Sequence, residues 1–339
     1  MVEHTAENRG VAGSSPALAT PRAPRIVGAI AALSLLACAL PAAAAAHLRL
    51  GTVAVDFRVR VTHRPAVGLR TLSIDEGARA VRLSVARGHR VIVVGYVGEP
   101  VLRIDADGVA VNLDSPTGAE SGLPSRAASG TRPEWRQVSR TGPAIWLDPR
   151  LGQLPAGARR RAWAIPLVVD GRPARIAGKL SRVARPSPWR WLLALVAAAA
   201  LAVTGSRLWP GRRRRAYCAG AALIASCAAL VAAAGLAVDA HTTGLKVAAV
   251  YELLFAAAGI GVAVWGPEEA GVAAAGLVGL LAAFCGLAFV PVFLHGNVLS
   301  ALPAPATRAA VALAIGVGAG VALLAALFYV RAGRVQSRA

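Results

Sequence analysis

The stretch LPAAAAAHLRLGTVAVDFRVRV, residues 40–61, changes its pattern at His47. Small apolar residues precede this histidine, whereas from Val53 onward apolar side chains alternate with polar or small ones. An apolar period of two is typical of a strand that buries one face. The change of pattern therefore predicts the end of an apolar leader and the start of a β-rich domain.

Residues 1–46 are predicted to form a secretory signal peptide. Arg22 and Arg25 come before the first apolar run, and small residues follow it up to Ala46. This is the charged, apolar and small-residue order of such leaders, and the apolar run is short for a membrane span. Cleavage after Ala46 would make His47 the N-terminal residue of the mature protein.

Two alternatives to cleavage stay open. The segment LLAC at 35–38 resembles a lipobox, so lipidation at Cys38 is one alternative, although Leu36 is a poor residue for that motif. An uncleaved N-terminal anchor is the other. The chain before the apolar run is long and polar, and Met1 is the only methionine, which also fits a start codon assigned upstream of the true one.

Residues 47–186 are predicted to form an extracytoplasmic, all-β, sandwich-like domain. Short segments with strand character follow one another, and helical periodicity is nearly absent. Asp-Gly pairs at 107–108 and 170–171 predict hairpin turns, because type I′ turns need positive φ at both central residues. The small, polar, proline-punctuated segment 115–133 is predicted to be a flexible loop. The strand segments are 53–61, 80–86, 90–97, 101–105, 109–113, 144–147, 162–169 and 174–180.

Residues 187–331 are predicted to form an all-α bundle of five transmembrane helices, followed by a basic cytoplasmic tail at 332–339. The fold class is therefore mixed, and the chain is expected to be a multi-pass protein of the plasma membrane. With the β-domain outside, the loop after the first span and the C-terminus are both cytoplasmic, and arginines cluster at both, as the positive-inside rule requires. The predicted spans are 191–208, 216–238, 245–265, 272–294 and 309–330, and the arginines are Arg207, 212–215, Arg331, Arg334 and Arg338.

The composition agrees with a membrane protein and argues against a nucleic-acid partner. Of the 339 residues, 56% are hydrophobic, and the formal net charge is +20. Such a charge is typical of nucleic-acid-binding proteins, but Lys179 and Lys246 are the only lysines. An arginine- and alanine-rich chain with so few lysines indicates a GC-rich genome, and no nucleic-acid-binding motif accompanies the charge.

Ionisable residues near the outer ends of the predicted helices form the candidate site. Asp239, His241 and His295 would lie at that end, and Glu252 would lie about 12 Å inside the third span. An ionisable residue at that depth is costly and is functional by default. One interpretation is a shared outward-facing pocket that binds a divalent transition metal or relays protons. The other is that Asp239 and His241 are ordinary loop residues and that Glu252 stabilises the bundle by hydrogen bonds.

Copper is the most concrete metal for such a site. A mature N-terminal His47 would offer its α-amine and its Nδ1 atom as a chelate, which suits Cu(II). His63 is a further candidate ligand in the β-domain, in addition to the residues at the helix ends. The alternative is that signal cleavage simply leaves a polar residue before the first strand.

Enzyme motifs are absent from the sequence. It carries no serine nucleophile elbow, phosphate-binding loop, paired-cysteine motif or zinc-binding helix motif. We therefore predict a non-enzymatic envelope protein whose β-domain binds a ligand or an envelope partner, with copper handling as one version of this function. The alternative class is a transporter or an assembly factor for a membrane complex, with Glu252 as the coupling residue.

Several short motifs occur together along the β-domain. They are GYVGEP at 95–100, Leu102-Arg103, Asp107-Gly108-Val109, Val111-Asn112, Ser115-Pro116, Trp135, Val138-Ser139, Trp146-x-Asp148-x-Arg150, and the stretch 163–178 with Pro166-Leu167 and Asp170-Gly171. In these residues the chain resembles a family of uncharacterised actinobacterial membrane proteins. The resemblance covers most of the chain and implies a signal peptide, an exported β-domain and a C-terminal helical membrane domain, but no established activity.

One motif departs from the pattern of this family. The family motif is similar to Trp-His-Asp-His-Arg, whereas here Leu147 and Pro149 replace both histidines. The resemblance therefore implies that a metal site formed by those histidines is lost in this chain. Within GYVGEP, Glu99 is expected to form an ion pair with Arg103 across a tight turn.

Overall fold

The chain folds into an N-terminal region of strands and a C-terminal region of helices, as the sequence predicts. The predicted signal peptide, including Cys38, and the candidate ligand His47 lie outside the described residues. The computed structural model describes residues 52–126, 132–152, 154–209, 212–239 and 243–336.

The strands of the N-terminal region form two antiparallel sheets. The strands are β1 (Ala54–Val55), β2 (Phe57–His63), β3 (Leu69–Asp75), β4 (Ala80–Val85), β5 (Val91–Val94), β6 (Pro100–Asp105), β7 (Gly108–Asn112), β8 (Trp135–Ser139), β9 (Ala144–Leu147), β10 (Arg160–Val169) and β11 (Arg172–Arg182). One sheet has the strand order β2-β11-β10-β5-β6-β7-β8 and the other has the order β3-β4-β9. A short helix, α1 (Pro116–Glu120), follows β7.

Both sheets bury their apolar faces in one shared core. Leu83 of β4 and Trp146 of β9 come from the small sheet, and Ile165 and Ile176 come from the large one. Each fully buried aliphatic side chain of this kind stabilises the fold by about 1.5–3 kcal/mol. Every strand segment that the sequence predicts overlaps a strand in the structure, and β3 and β8 are additional.

The two Asp-Gly hairpins differ from each other. Asp170 and Gly171 have φ values of 50° and 79°, and they connect β10 to β11 as predicted. At the other pair, Asp105 is the partner of Gly108 across the ladder, so the two-residue turn is Ala106-Asp107, one residue earlier than predicted. Gly108 has a φ of 117°, and a Cβ there would collide with the Ser139 carbonyl oxygen. A glycine at position 108 therefore allows β7 and β8 to approach each other closely.

The predicted flexible loop 115–133 begins with ordered structure instead. The Ser115 hydroxyl accepts a 2.9 Å hydrogen bond from the Gly118 amide, which caps α1. Ser115, Thr117 and Ser121 are buried. Because Ser115 and Thr117 also form hydrogen bonds with Glu99 and Tyr96, a polar segment is ordered here without large apolar side chains.

The helices of the C-terminal region follow the predicted spans with one change. The fourth predicted span, 272–294, breaks after Leu287, and a new helical turn begins at Pro291, which lacks the amide needed to continue a helix. The loop that follows contains a short strand. These elements are α2 (Pro188–Gly205), α3 (Arg212–Asp239), α4 (Thr243–Trp265), α5 (Glu268–Leu287), α6 (Pro291–Leu294), β12 (Asn297–Val298) and α7 (Ala304–Gln336).

In the described part of the chain, four helical segments are long and apolar enough to cross a membrane: Pro188–Leu208, Arg213–Leu236, Glu268–Leu287 and Ala304–Arg331. The fifth long helix, α4, contributes a shorter apolar segment, Glu252–Trp265. These helices pack against one another, and α7 contacts α2, α3 and α5. The structure thus confirms a helical region whose apolar segments are long enough to cross a membrane.

Strand β1 joins the two regions. It pairs antiparallel with β12, with Ala54 opposite Val298 and Val55 opposite Asn297. The sequence predicts one continuous strand over 53–61, but the structure breaks it at Asp56. Before the break Val53, Ala54 and Val55 are all buried, and Val53 packs in a cluster with helical residues. After it, Phe57, Val59 and Val61 pack against the β core. The helical residues around Val53 include Leu236, Val292 and Val311.

Candidate functional site

The break at Asp56 lies where the β-domain meets the loop between α6 and α7. The Asp56 carboxylate accepts hydrogen bonds from the Arg185 Nε atom at 2.8 Å and from the Gly296 amide at 3.2 Å. The His295 Nδ1 atom lies 3.2 Å from the same carboxylate. One carboxylate thus connects the start of the β-domain, its end, and the loop of the helical region.

A second set of contacts lies next to Asp56. The Asn297 side chain donates to the Phe57 carbonyl at 3.0 Å and to the Glu76 carboxylate at 2.5 Å, and it accepts from Arg58 at 3.2 Å. The other oxygen of Glu76 accepts from the Val59 amide at 2.6 Å. Asn297 is 6% exposed, so its amide group fixes the orientation of the loop against the β-domain.

Arg308 holds the same loop from the helical side. Its guanidinium donates to the carbonyls of Val292, His295 and Gly296 at 2.8, 2.9 and 3.1 Å. The side chain is buried near the start of α7. A cation that binds the carbonyls at the end of the short helix α6 is electrostatically favourable there.

The charge of Asp56 is maintained by these contacts. Burial raises the pKa of Asp56, but hydrogen bonds from Arg185 and the Gly296 amide, together with His295, outweigh this effect and lower its pKa below the usual value. The pKa of the Arg185 guanidinium is raised by the same ion pair. Asp56 therefore stays ionised at neutral pH.

A pocket of about 520 Å³ opens beside these residues, and we call it the junction pocket. Its apolar part includes Phe57 and Leu154. Its charged groups are one carboxylate, three guanidinium groups and one imidazole. They belong to Asp56, Arg79, Arg182, Arg185 and His295.

Arg79 reaches the junction pocket from a strained turn. Its φ of 56° places the backbone in the left-handed region, which a non-glycine residue adopts rarely. The Arg79 carbonyl accepts a 3.0 Å hydrogen bond from the Asp148 amide, which holds this turn against the end of β9. Its guanidinium has no hydrogen bond or ion pair to any described residue.

The Trp146-x-Asp148-x-Arg150 motif forms a buried polar group that orders this corner. Asp148 is 1% exposed and accepts from the Trp146 Nε1 atom at 3.2 Å and from the Arg150 Nε and Nη2 atoms at 2.8 Å each. The Arg150 guanidinium lies 4.8 Å from the centre of the Tyr96 ring. Burial, with the nearby charge of Asp148, raises the pKa of Tyr96 to about 12. Leu147 and Pro149, where the predicted resemblance implies histidines, are both exposed.

Glu99 of the GYVGEP motif anchors α1 and does not pair with Arg103. Its carboxylate accepts from the Ser115 hydroxyl and the Thr117 amide, both at 3.0 Å. Although burial acts in the opposite direction, these hydrogen bonds lower the pKa of Glu99. Arg103 instead lies 3.3 Å from Asp105 and packs over the Trp135 ring at 5.3 Å. The expected Glu99–Arg103 ion pair is therefore wrong, because the chain folds Glu99 back over Gly95.

Glu252 is buried where three helices meet. It is 3% exposed, and its Oε2 atom accepts from the Cys285 thiol at 3.2 Å. Ser226 of α3, 1% exposed, lies within interaction range of the carboxyl group. Among the described residues, the Glu252 Oε1 atom and the Ser226 Oγ atom have no hydrogen-bond partner.

The other predicted site residues fall at different places. His63 lies at the exposed end of β2, and His295 lies beside Asp56. Asp239 ends α3, and His241 falls outside the described residues. Within the described ranges the structure does not bring Glu252 and His295 into one polar cluster, nor does it contain a group of three or more His, Cys, Asp or Glu residues that could hold a metal ion.

Sequence patterns did not reveal the residues of the junction. Asp56 occupies a polar position in an alternating strand, and Asn297 lies 240 residues away along the chain from the Phe57 carbonyl that it binds. Arg79, Arg182 and Arg185 are three of many arginines. A useful indication was present only at Asp56, where a carboxylate interrupts a run of valines.

Comparison with known proteins gave no match for this chain among family models, curated proteins or solved structures. The resemblance to the actinobacterial membrane proteins therefore stays a prediction.

Proposed function

We propose that this chain is a non-enzymatic integral membrane protein of the cell envelope whose extracytoplasmic β-domain binds a ligand or partner while docked on its own helical bundle. The observation that carries this proposal is the β1–β12 ladder, with Val53 buried among helical residues beside it. A domain held in this way is positioned at the end of the bundle and is not simply tethered to it.

The contacts at the two ends of the bundle support five spans. The β-domain contacts the loop between α6 and α7, and the Ala301 amide of that loop donates to the Gly235 carbonyl near the end of α3. At the other end, Arg215 binds the Gly266 carbonyl after α4, and Tyr329 binds the Glu269 carbonyl. Because α4 connects these ends and its 23 residues extend about 35 Å, it is long enough to be the fifth span. The arginine-rich end is then cytoplasmic.

Docking is tested by a disulfide across the ladder. Ala54 and Val298 are opposite residues, and Cα atoms at such positions are about 4.5–5.5 Å apart, within the range of a disulfide. In a variant whose native cysteines are replaced by alanine, Ala54→Cys with Val298→Cys should oxidise readily. Val67→Cys with Val298→Cys is the matched control, because Val67 lies beyond the far end of β2 and is 60% exposed. Equal crosslinking of both pairs, or of neither, would contradict the docked arrangement.

Copper handling is a more specific form of this proposal, in which the ligand is a metal ion. It rests on the predicted N-terminal chelate of His47 and on His241, with His63, Asp239 and His295 as further candidate ligands. The Nδ1 atom of His295 lies beside Asp56, so Nε2 is the ring nitrogen that would bind a metal. Titration of the mature protein with Cu(II) and Cu(I) should show binding that weakens in His47→Ala and His241→Ala. Binding no tighter than that of an unrelated histidine-poor protein would remove copper from the proposal.

A transporter or assembly-factor function is the second candidate, and the buried Glu252 favours it. A carboxyl group with an unpartnered oxygen among apolar helices is costly, and binding a proton or cation reduces that cost. In proteoliposomes that contain a pH-sensitive dye, Glu252→Gln should abolish proton flux. Glu268→Gln, at the exposed start of α5, is the control. Flux that survives Glu252→Gln, or that falls equally in both variants, would exclude this role.

A further inference from the structure

The charges of the junction pocket are unbalanced. Asp56 is the one carboxylate among its lining residues, and it already binds Arg185 and the Gly296 amide. The Arg182 guanidinium donates to the carbonyls of Ala158 and Pro155 at 3.2 and 3.4 Å, so its charge meets no carboxylate there. Two guanidinium groups of the pocket, those of Arg79 and Arg182, therefore remain without a counter-ion among the described residues.

The backbone directs Arg79 to this place. A left-handed conformation at a non-glycine residue costs energy and persists where surrounding contacts impose it, here the hydrogen bond from the buried Asp148. The side chain lies over Gly152, where even a Cβ atom would come within 3.4 Å of the Arg79 Nη1 atom. A strained arginine beside a second arginine without a counter-ion is an arrangement suited to an anion.

The pocket also lies near the start of the first predicted span. Arg185 is three residues before Pro188, the first residue of α2. Trp189 is 70% exposed, and Trp191 stacks on Phe293 with ring centres 5.8 Å apart. Tryptophans are enriched at the boundary between lipid and water, so these two mark the level of the headgroups.

From the unpaired guanidinium groups, the strained Arg79 and the position of the pocket, we infer that the junction pocket binds a phosphate group, held by Arg79 and Arg182. Guanidinium groups present paired N–H donors that match phosphate oxygens, and these charge-assisted hydrogen bonds are strong. The phosphate belongs either to an anionic phospholipid headgroup or to a free phosphate ion. The inference rests on the proposed function, because the pocket is completed by His295 of the helical region only while the β-domain is docked.

The test uses the full-length protein in an uncharged maltoside detergent. The probes are inorganic phosphate, dihexanoyl-phosphatidylglycerol and, as a lipid of no net charge, dihexanoyl-phosphatidylcholine, each titrated by calorimetry. Loss of a charge-assisted hydrogen bond should weaken binding of the anionic probe about tenfold in Arg79→Gln and in Arg182→Gln. Arg175→Gln is the matched control, since Arg175 is exposed on the same strand as Arg182, about 23 Å away at the rise of an extended strand.

Binding of phosphatidylglycerol without binding of inorganic phosphate identifies the lipid headgroup as the source, and binding of inorganic phosphate identifies the free ion. Both outcomes support the inference if the arginine variants weaken binding and Arg175→Gln does not. It is overturned if neither anionic probe binds, if Arg175→Gln weakens binding equally, or if phosphatidylcholine binds as tightly as phosphatidylglycerol. The Ala54→Cys/Val298→Cys disulfide separates the two proposals. If it forms and no anion binds, the β-domain is docked and only the proposal of phosphate binding fails. If it does not form, the proposal that the β-domain docks on the bundle fails.

Discussion

At the scale of the residue, buried polar groups decide the local structure of this protein. Asp148 and Glu99 each collect hydrogen bonds from a segment distant from them, Tyr96 in one case and Ser115 in the other. A buried carboxylate that lacks such partners would be costly. These residues therefore determine where turns and the short helix lie.

The contribution of the buried ion pair is measurable. Arg150→Met leaves Asp148 buried without a cation, so the free energy of unfolding should fall by about 3 kcal/mol. Arg90→Met is the control, because Arg90 is exposed and its partner Asp105 keeps Arg103; its loss should be below about 1 kcal/mol. Thermal unfolding of the full chain, followed by tryptophan fluorescence, gives both values. Equal losses would show that Asp148 does not depend on Arg150.

Sequence reasoning was least successful at this scale. It identified Trp146, Asp148 and Arg150 only through a resemblance, and it assigned Glu99 the wrong partner. The reason is physical: an ion pair or hydrogen bond between distant residues leaves no periodic trace in the chain. Asn297 illustrates this, since nothing in its sequence neighbourhood points to the Phe57 carbonyl and the Glu76 carboxylate that it binds in the fold.

At the scale of the element, periodicity predicted most of the structure correctly. The alternation over 162–169 and 174–180 gives the long hairpin of β10 and β11, with the turn at Asp170-Gly171. The same rule was misleading over 53–61, because Val53, Ala54 and Val55 are all buried and only the residues from Phe57 onward alternate, with the two halves packed in different cores. A period of two predicts that one face of a strand is buried, but it does not predict which core that face packs against.

Small residues in the helices allow close packing, which gives a second prediction. A Cβ at Gly316 of α7 would lie 2.5 Å from the Leu195 carbonyl of α2, so Gly316→Ala should separate these helices and lower stability by about 1–3 kcal/mol. Gly220 of α3 has no atom within 4 Å of such a Cβ. Gly220→Ala should therefore be neutral or stabilise the helix by up to about 1 kcal/mol. A scan of melting temperature in detergent compares them, and a lower value for Gly220→Ala would contradict the packing argument.

At the scale of the whole molecule, the orientation in the membrane is the central prediction. Val67 in the β-domain and Leu208 after α2 are 60% and 78% exposed. In intact cells, a membrane-impermeant maleimide should label Val67→Cys, and it should label Leu208→Cys only after lysis, because the positive-inside rule assigns the arginines near Leu208 to the cytoplasm. Labelling of Leu208→Cys in intact cells would invert the topology and remove the external placement of the junction pocket.

Acid should weaken docking of the β-domain through Asp56. Its pKa is lowered in the folded protein from an ordinary value of 3.8, so the folded state holds the proton less tightly than the unfolded state. The contribution of Asp56 to stability is therefore complete above about pH 4 and is lost as the pH falls through the lowered pKa.

Melting temperature measured against pH should fall less steeply below pH 4 in Asp56→Asn than in the wild type. Asp107→Asn, in the exposed turn after β6, should keep the wild-type slope. An Asp56→Asn curve parallel to the wild type would mean that this carboxylate does not connect folding of the β-domain to its place on the bundle.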